Sequence, residues 1–157
     1  MKCHPRPSQD MFRGRYQHTI DPKGRLSIPA KFRDVLARYE GGDLVVVPDG
    51  ECLEVYPVAE WERMESKLRE QSRFSAEVRE ISRLYVSRAR DVTLDGAGRI
   101  LLAPEIRKEA ALEKNVTLVG GGLDKFEVWD RSRFDEYDRT GQPKLPSLYD
   151  KLASLGV

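Results

Sequence analysis

The chain has 157 residues, 39% of them hydrophobic and 34% charged, with a formal net charge of +1. That suits one domain or two small fused units and argues against a globally disordered chain. Two cysteines, Cys3 and Cys52, make a poor disulfide framework and fit a reducing compartment. No apolar run approaches the roughly 20 residues of a membrane helix.

Residues 1–10 are Pro-rich and polar and lack the apolar stretch of a secretory signal, so they are read as a flexible leader with the folded part starting at Met11. Charge is uneven along the chain. Residues 1–40 carry nine Lys/Arg against four Asp/Glu, and residues 41–75 carry four against eight. A basic segment beside an acidic one gives a one-sided surface that can meet a polyanion despite the neutral total.

The first strand alternates Tyr16, His18 and Ile20. Asp21-Pro-Lys-Gly24 follows with strong turn chemistry: Asp accepts from turn amides, Pro sets its own φ, and Gly supplies positive φ. A second short strand, 26–28, completes an expected β-hairpin. A helix opens at Pro29 with Phe32, Leu36 and Tyr39 on one face. Strands over 44–47 and 53–56 are joined by Pro48-Asp49-Gly50, after which Pro57 starts a longer helix striped by Trp61, Met64 and Leu68. A linking helix carries Phe74, Val78, Ile81 and Tyr85 at near-helical spacing.

The grammar then repeats. Asp95-Gly-Ala-Gly98-Arg99-Ile-Leu-Leu102 matches Asp21-Pro-Lys-Gly24-Arg25-Leu-Ser-Ile28 at an offset of 74, and Val92 and Leu94 take the places of the first strand. The match continues through Ile106-Arg107 against Phe32-Arg33 and Leu118-Val119 against Leu44-Val45. After a one-residue slip, Phe126-Glu-Val-Trp129 matches Leu53-Glu-Val-Tyr56, and Phe134 matches Trp61. Strands are expected over 117–119 and 126–129, joined by a Gly120-Gly121-Gly122 loop. Beyond Thr140 the tail is read as loop, with room for a short helix over 148–155.

Asp21, Gly24, Asp95 and Gly98 are explained by the turns themselves. Arg25 and Arg99 are not, because a turn needs no arginine after its glycine. Such an arginine either contacts phosphate or a guanine edge, or is solvated or paired with its own motif Asp. Arg13, Arg15, Lys23 and Arg25 bracket the first turn; the second has Ala97 where Lys23 stood, which makes it the weaker electrostatic partner. Trp61, Trp129 and Tyr56 are read as core packing, and His18 as a strand residue on a half-buried face. Neither a Cys/His metal spacing nor a phosphate-binding glycine loop is present, and no catalytic constellation stands out. No enzyme, cofactor, metal or small-molecule ligand is expected.

The segments Met11-Phe-Arg-Gly14, Asp21-Pro-Lys-Gly-Arg25, Ser27-Ile-Pro-Ala-Lys-Phe-Arg33, Leu118-Val-Gly-Gly-Gly122 and Phe126-Glu-Val-Trp129 together resemble the MraZ family over about residues 11–137. The resemblance implies a mainly β protein with short helices (α+β), in which two tandem swapped-hairpin units like those of SpoVT and AbrB interlock into one pseudo-twofold β-barrel core. On that reading the units span 11–73 and 87–139, with a linking helix over 74–86 and a tail over 140–157. It also implies a transcriptional regulator in the cytoplasm and nucleoid. As a homo-oligomeric ring, it would bind short tandem repeats in double-stranded DNA upstream of its own gene and the division and cell-wall cluster. Carried over residue by residue, DNA contact falls on Arg25 and Arg99, with Lys23 and Arg13 beside them. The leader and Ala97 depart from the family pattern. The rival reading is a ring-forming interaction protein with no DNA target of its own.

Overall fold

The computed structural model describes residues 11–39 and 41–157; the expected leader lies outside these described residues. Among the described residues, eight strands and six α-helices follow in chain order: β1 (Phe12–Thr19), β2 (Arg25–Ser27), α1 (Ala30–Leu36), β3 (Asp43–Pro48), β4 (Leu53–Pro57), α2 (Val58–Arg69), α3 (Ala76–Leu84), β5 (Arg90–Thr93), β6 (Arg99–Leu101), α4 (Pro104–Glu109), β7 (Asn115–Leu123), β8 (Phe126–Asp130), α5 (Arg131–Gly141) and α6 (Leu145–Ser154).

Six strands form one antiparallel sheet in the order β1-β7-β8-β4-β3-β5. The order maps onto itself, reversed, when the two repeats are exchanged. Each repeat's first strand therefore pairs with the other repeat's later strand: β1 with β7, and β5 with β3. The closed barrel expected from the sequence does not form. The sheet is open, ending at β1 and β5, and β2 and β6 pair with each other as a separate two-stranded ribbon.

The expected hairpin of β1 with β2 is reduced to its turn plus one isolated bridge, Ile20 to Leu26. Each arm of the turn pairs with a strand of the other repeat instead: β1 with β7 over eight residue pairs, and β2 with β6 over three.

Side-chain alternation assigns the two faces of the sheet. Leu44, Val46, Leu53, Val55, Val116, Leu118, Phe126 and Val128 point into the main core, where Leu26 and Ile28 from the first turn strand and Ile100 and Leu102 from the second meet them. Phe12, Phe32 and Phe126 pack edge-on or tilted at 4.8–5.4 Å between ring centroids, closing one end of this core. On the opposite face, Val45 and Val47 pack under Trp61 of α2, and Trp129 packs with Phe134 of α5 and Cys52. Trp61 and Trp129 are thus core residues, as their repeat positions suggested, and Tyr56 is half-buried against Trp61.

Between those two apolar patches lies a polar seam. Glu54 and Glu127 face each other across β4 and β8. Like charges directly opposite are destabilising; here Lys125 bridges them, pairing with Glu54 and, at 3.3 Å, with Glu127. The Tyr85 hydroxyl donates to Glu54 at 2.6 Å, Tyr56 donates to its other oxygen at 3.2 Å, and Trp129 Nε1 donates to Glu127 at 3.1 Å. Burial works against the Lys125 charge, and the Glu54 carboxylate overcomes it, holding the ammonium above its usual range.

Three further expectations change. The Gly120-Gly121-Gly122 stretch is not a loop but the continuation of β7, because β1 runs alongside it through a register shift between Phe12 and Arg13. A Cβ on Gly120 would lie 2.7 Å from the Arg13 nitrogen, so only glycine admits that close approach. The linking helix α3 buries no residue and starts after Phe74: Ile81 is 43% and Phe74 84% exposed, and of the proposed stripe Tyr85, just past the helix end, turns in against Trp61. The tail is helical almost throughout. α5 is capped by the Asp130 carboxylate accepting from the Arg133 amide, and a short 3₁₀ turn leads straight into α6.

Candidate nucleic-acid interface

The two Asp-x-x-Gly-Arg turns are built alike. The Asp21 carbonyl accepts from the Gly24 amide at 2.9 Å, closing a β-turn, and Gly24 has φ +87°. Asp21 Oδ1 accepts from the Lys23 and Arg25 amides at 2.9 and 2.8 Å, and Oδ2 accepts from Arg25 Nε at 2.7 Å. In the second repeat, Asp95 Oδ1 accepts from the Ala97 and Arg99 amides and Oδ2 from Arg99 Nε, all at 2.9 Å, with Gly98 at φ +76°. Each carboxyl is held below its ordinary value of 3.8. The arginine's backbone amide is the largest cause, desolvation opposes it, and the guanidinium and the other turn amide add to the lowering.

The motif arginines are therefore paired with their own Asp, but only through Nε. Among the described residues no hydrogen bond engages the Nη groups of Arg25 or Arg99, and about a third of each side chain is exposed. The Asp clamp fixes the stem of the fork and, among the described residues, leaves its outer donors without a hydrogen-bond partner. Paired and available are thus not alternatives for these two arginines.

The ribbon places the turns side by side. Arg25 pairs with Leu101, Leu26 with Ile100, and Ser27 with Arg99. Leu26 and Ile100 are buried, so alternation puts Arg25, Ser27, Arg99 and Leu101 on one outward face. Arg25 and Arg99 are diagonal neighbours there, roughly 7–8 Å apart for that register. Leu101, 60% exposed, is a large apolar residue on this polar face that sequence reading passed over. The signal was present as the repeat mismatch of Leu101 against Ser27.

The other expected residues are distributed less tightly. Lys23 sits exposed at the crest of the first turn. Arg13 lies eight residues from Asp21, at the far end of β1, about 26 Å away along an extended strand. It lines a recess with Lys31 and Arg38 rather than joining the turns. Arg15 pairs with Asp138 at 3.1 Å and lies over the Phe134 ring at 4.9 Å, which ties β1 to α5. His18 Nδ1 meets the Ser27 carbonyl at 2.7 Å and so links β1 to the ribbon. Arg33 and Arg107, given no role in the sequence beyond the repeat match and the family-like segment that ends at Arg33, both reach the turns.

Asp49, Cys52 and Glu127 bring possible ligand atoms within 4.8 Å of one another. Burial pushes the Cys52 thiol up, and its Sγ donates to Asp49 Oδ2 at 3.6 Å, while Asp49 Oδ1 accepts from the Glu51 and Cys52 amides. This group is accounted for as a tight turn between β3 and β4. Among the described residues no helix is long and apolar enough to cross a membrane.

Comparison with known proteins gives a consistent result. The family model described as "MraZ protein, putative antitoxin-like" matches residues 11–84 and 86–144. The chain is 46% identical over 126 residues to a protein of Nitrosomonas eutropha named transcriptional regulator MraZ, covering 80% of this chain and 84% of that one. It is 40% identical over 146 residues to its namesake from Syntrophobacter fumaroxidans, covering 93% and 97% respectively. A third protein of that name, from Acidithiobacillus ferrooxidans, is 41% identical over 136 residues, 83% of this chain and 89% of its own.

Proposed function

The chain belongs to the MraZ family, and we propose that it is a DNA-binding transcriptional regulator that reads duplex DNA with the β2–β6 ribbon. The relatives it resembles carry a regulator's name and not an enzyme's. The observation that carries the reading is the duplicated arginine on one outward ribbon face, each held at Nε by its own Asp with its Nη donors open. A two-stranded ribbon fits the major groove, which is about 12 Å wide, and an arginine fork matches phosphate or the guanine O6/N7 edge. Leu101 supplies an apolar contact of the kind that suits a thymine methyl.

The target proposed is a set of short tandem repeats upstream of the chain's own gene, at the head of the division and cell-wall cluster, bound by a homo-oligomeric ring associated with the nucleoid. One copy offers few cations, and each phosphate neutralised adds a modest, salt-sensitive increment. Linked copies raise the effective concentration at neighbouring repeats. The test is a gel shift on that upstream region over a range of salt. Wild type is expected to bind with a steep salt dependence, and Arg25→Ala to lose about tenfold or more in affinity, the scale of one good arginine contact. A wild-type ring with no affinity for any upstream fragment at low salt would favour the interaction-protein reading instead.

A further inference from the structure

We infer that Arg33 and Arg107 are crossed positioning residues: each sets the arginine turn of the opposite repeat, Arg107 that of Arg25 and Arg33 that of Arg99. The two repeats meet where each turn strand ends. The Ile28 amide donates to the Gly98 carbonyl at 3.0 Å, and the Leu102 amide donates to the Gly24 carbonyl at 2.8 Å. Each turn glycine thus hands its carbonyl to the other repeat. The carbonyls of those same residues are then taken by the arginines: Arg33 Nε donates to Ile28 O and Arg107 Nε to Leu102 O, both at 3.1 Å.

The guanidinium that grips the strand end also lies against the turn across from it. A Cβ on Gly98 would sit 2.7 Å from Arg33 Cδ and 3.0 Å from its Nε and Nη1. A Cβ on Gly24 would sit 2.8 Å from the Leu102 carbonyl and 3.5 Å from Arg107 Nη2. Gly24 and Gly98 are therefore glycine for two reasons, positive φ and an atom group of the other repeat packed where a side chain would stand: Arg33 itself at Gly98, and at Gly24 the Leu102 carbonyl that Arg107 holds. Arg33 follows β2 on α1 and Arg107 follows β6 on α4, so the clasp is reciprocal and has the sheet's pseudo-twofold form. Its planar fork can donate sideways at Nε while its face packs on a backbone, which a lysine ammonium cannot reproduce.

The inference rests on the ribbon's reading as the DNA-contacting element, and the test separates the two. With the full chain and the upstream DNA, Arg107→Ala is expected to weaken binding about tenfold, the scale of coupling within one hydrogen-bonded network. It should add nothing once Arg25 is already Ala, yet keep its full effect on top of Arg99→Ala. Arg33→Ala should show the reverse pattern. Equal additivity in both backgrounds overturns the inference. So does a drop of about 0.9 in salt slope for Arg107→Ala in the Arg25→Ala background, which marks a direct phosphate contact.

A second measurement needs no DNA. Amide exchange at Gly24 and Arg25 should quicken in Arg107→Ala and stay unchanged in Arg33→Ala, with the opposite outcome at Gly98 and Arg99. Uniform quickening at both turns means general loosening and overturns the crossed assignment. If the alanine variants do not fold, Arg107→Lys and Arg33→Lys decide by the same pattern. A wild type that binds no DNA sinks the proposed function and leaves the exchange result to decide this inference alone.

Discussion

Asp21 and Asp95 each serve two amides and one guanidinium, so their charge is part of how the turns are held. Both folded carboxyls are held below the ordinary 3.8. The stability they contribute is therefore fully present above that ordinary value and is lost as pH falls through the lowered folded value. Stability measured by urea unfolding should not change on account of these groups between about pH 8 and pH 5. On the acid side it should fall less steeply in an Asp21→Asn, Asp95→Asn double variant than in wild type. Equal acid slopes would show that these carboxyls carry no folding linkage. The inequality of the turns is testable at the same scale. Ala97 occupies the place of Lys23, so Ala97→Lys is expected to steepen the salt dependence of DNA binding by about 0.9, one phosphate's share. An unchanged slope would place the crest of the second turn away from the DNA backbone.

At the level of elements, the seam between β4 and β8 shows how a repeat creates a problem that it then has to solve. Duplication brings Glu54 and Glu127, equivalent residues, face to face at the pseudo-twofold centre. Lys125, which has no charged counterpart at Cys52, offsets them both. Lys125→Met should destabilise the fold by about 3 kcal/mol or more, the usual effect of leaving a buried charge unpaired, read as a lower urea midpoint. Adding Glu54→Gln to that variant should restore part of the loss. The seam was not legible in the sequence, because a register between distant strands decides which carboxylates meet. The repeat itself, the turns, the strands β3, β4 and β8 and the cores under Trp61 and Trp129 were legible, since period and turn chemistry are local. The hairpin differs from the expectation for the same reason: Asp21-Pro-Lys-Gly24 specifies a turn, but not whether its arms pair with each other or with distant strands of the other repeat. At the site, Arg25 and Arg99 stood out by being superfluous to a turn. Arg33 and Arg107 did not, because the turns they pack against belong to the other repeat.

At the scale of the whole molecule, the described residues expose apolar side chains at both ends of the sheet. α3, with Phe74 just before it, leads toward β5 at one edge of the sheet, and Phe74, Ile81 and Leu84 are exposed there; α5, tied to β1 at the other edge by Arg15 and Asp138, leads into α6, which exposes Leu148, Tyr149 and Leu152. Several large apolar side chains exposed together, unlike single scattered ones, are a feature of contact surfaces. The two faces differ in residues and belong to different ends of the sheet, so joining them between copies is a head-to-tail contact, the kind that closes into rings when the rotation permits. For the proposed ring this gives a complementation test by sedimentation. A Phe74→Ser, Leu84→Ser variant and a Leu148→Ser, Leu152→Ser variant should each fail to assemble, since each lacks one of the two faces. Mixed in equal amounts, they should form a dimer and stop there, because only one intact pair of faces remains between them. Self-assembly of either variant to wild-type size would remove its face from the contact, and a mixture that stays monomeric would show that the two faces do not meet each other. The dimer should also bind a tandem site more tightly than either variant alone but less tightly than wild type, since effective concentration then links two ribbons' worth of weak contacts and not a full ring's.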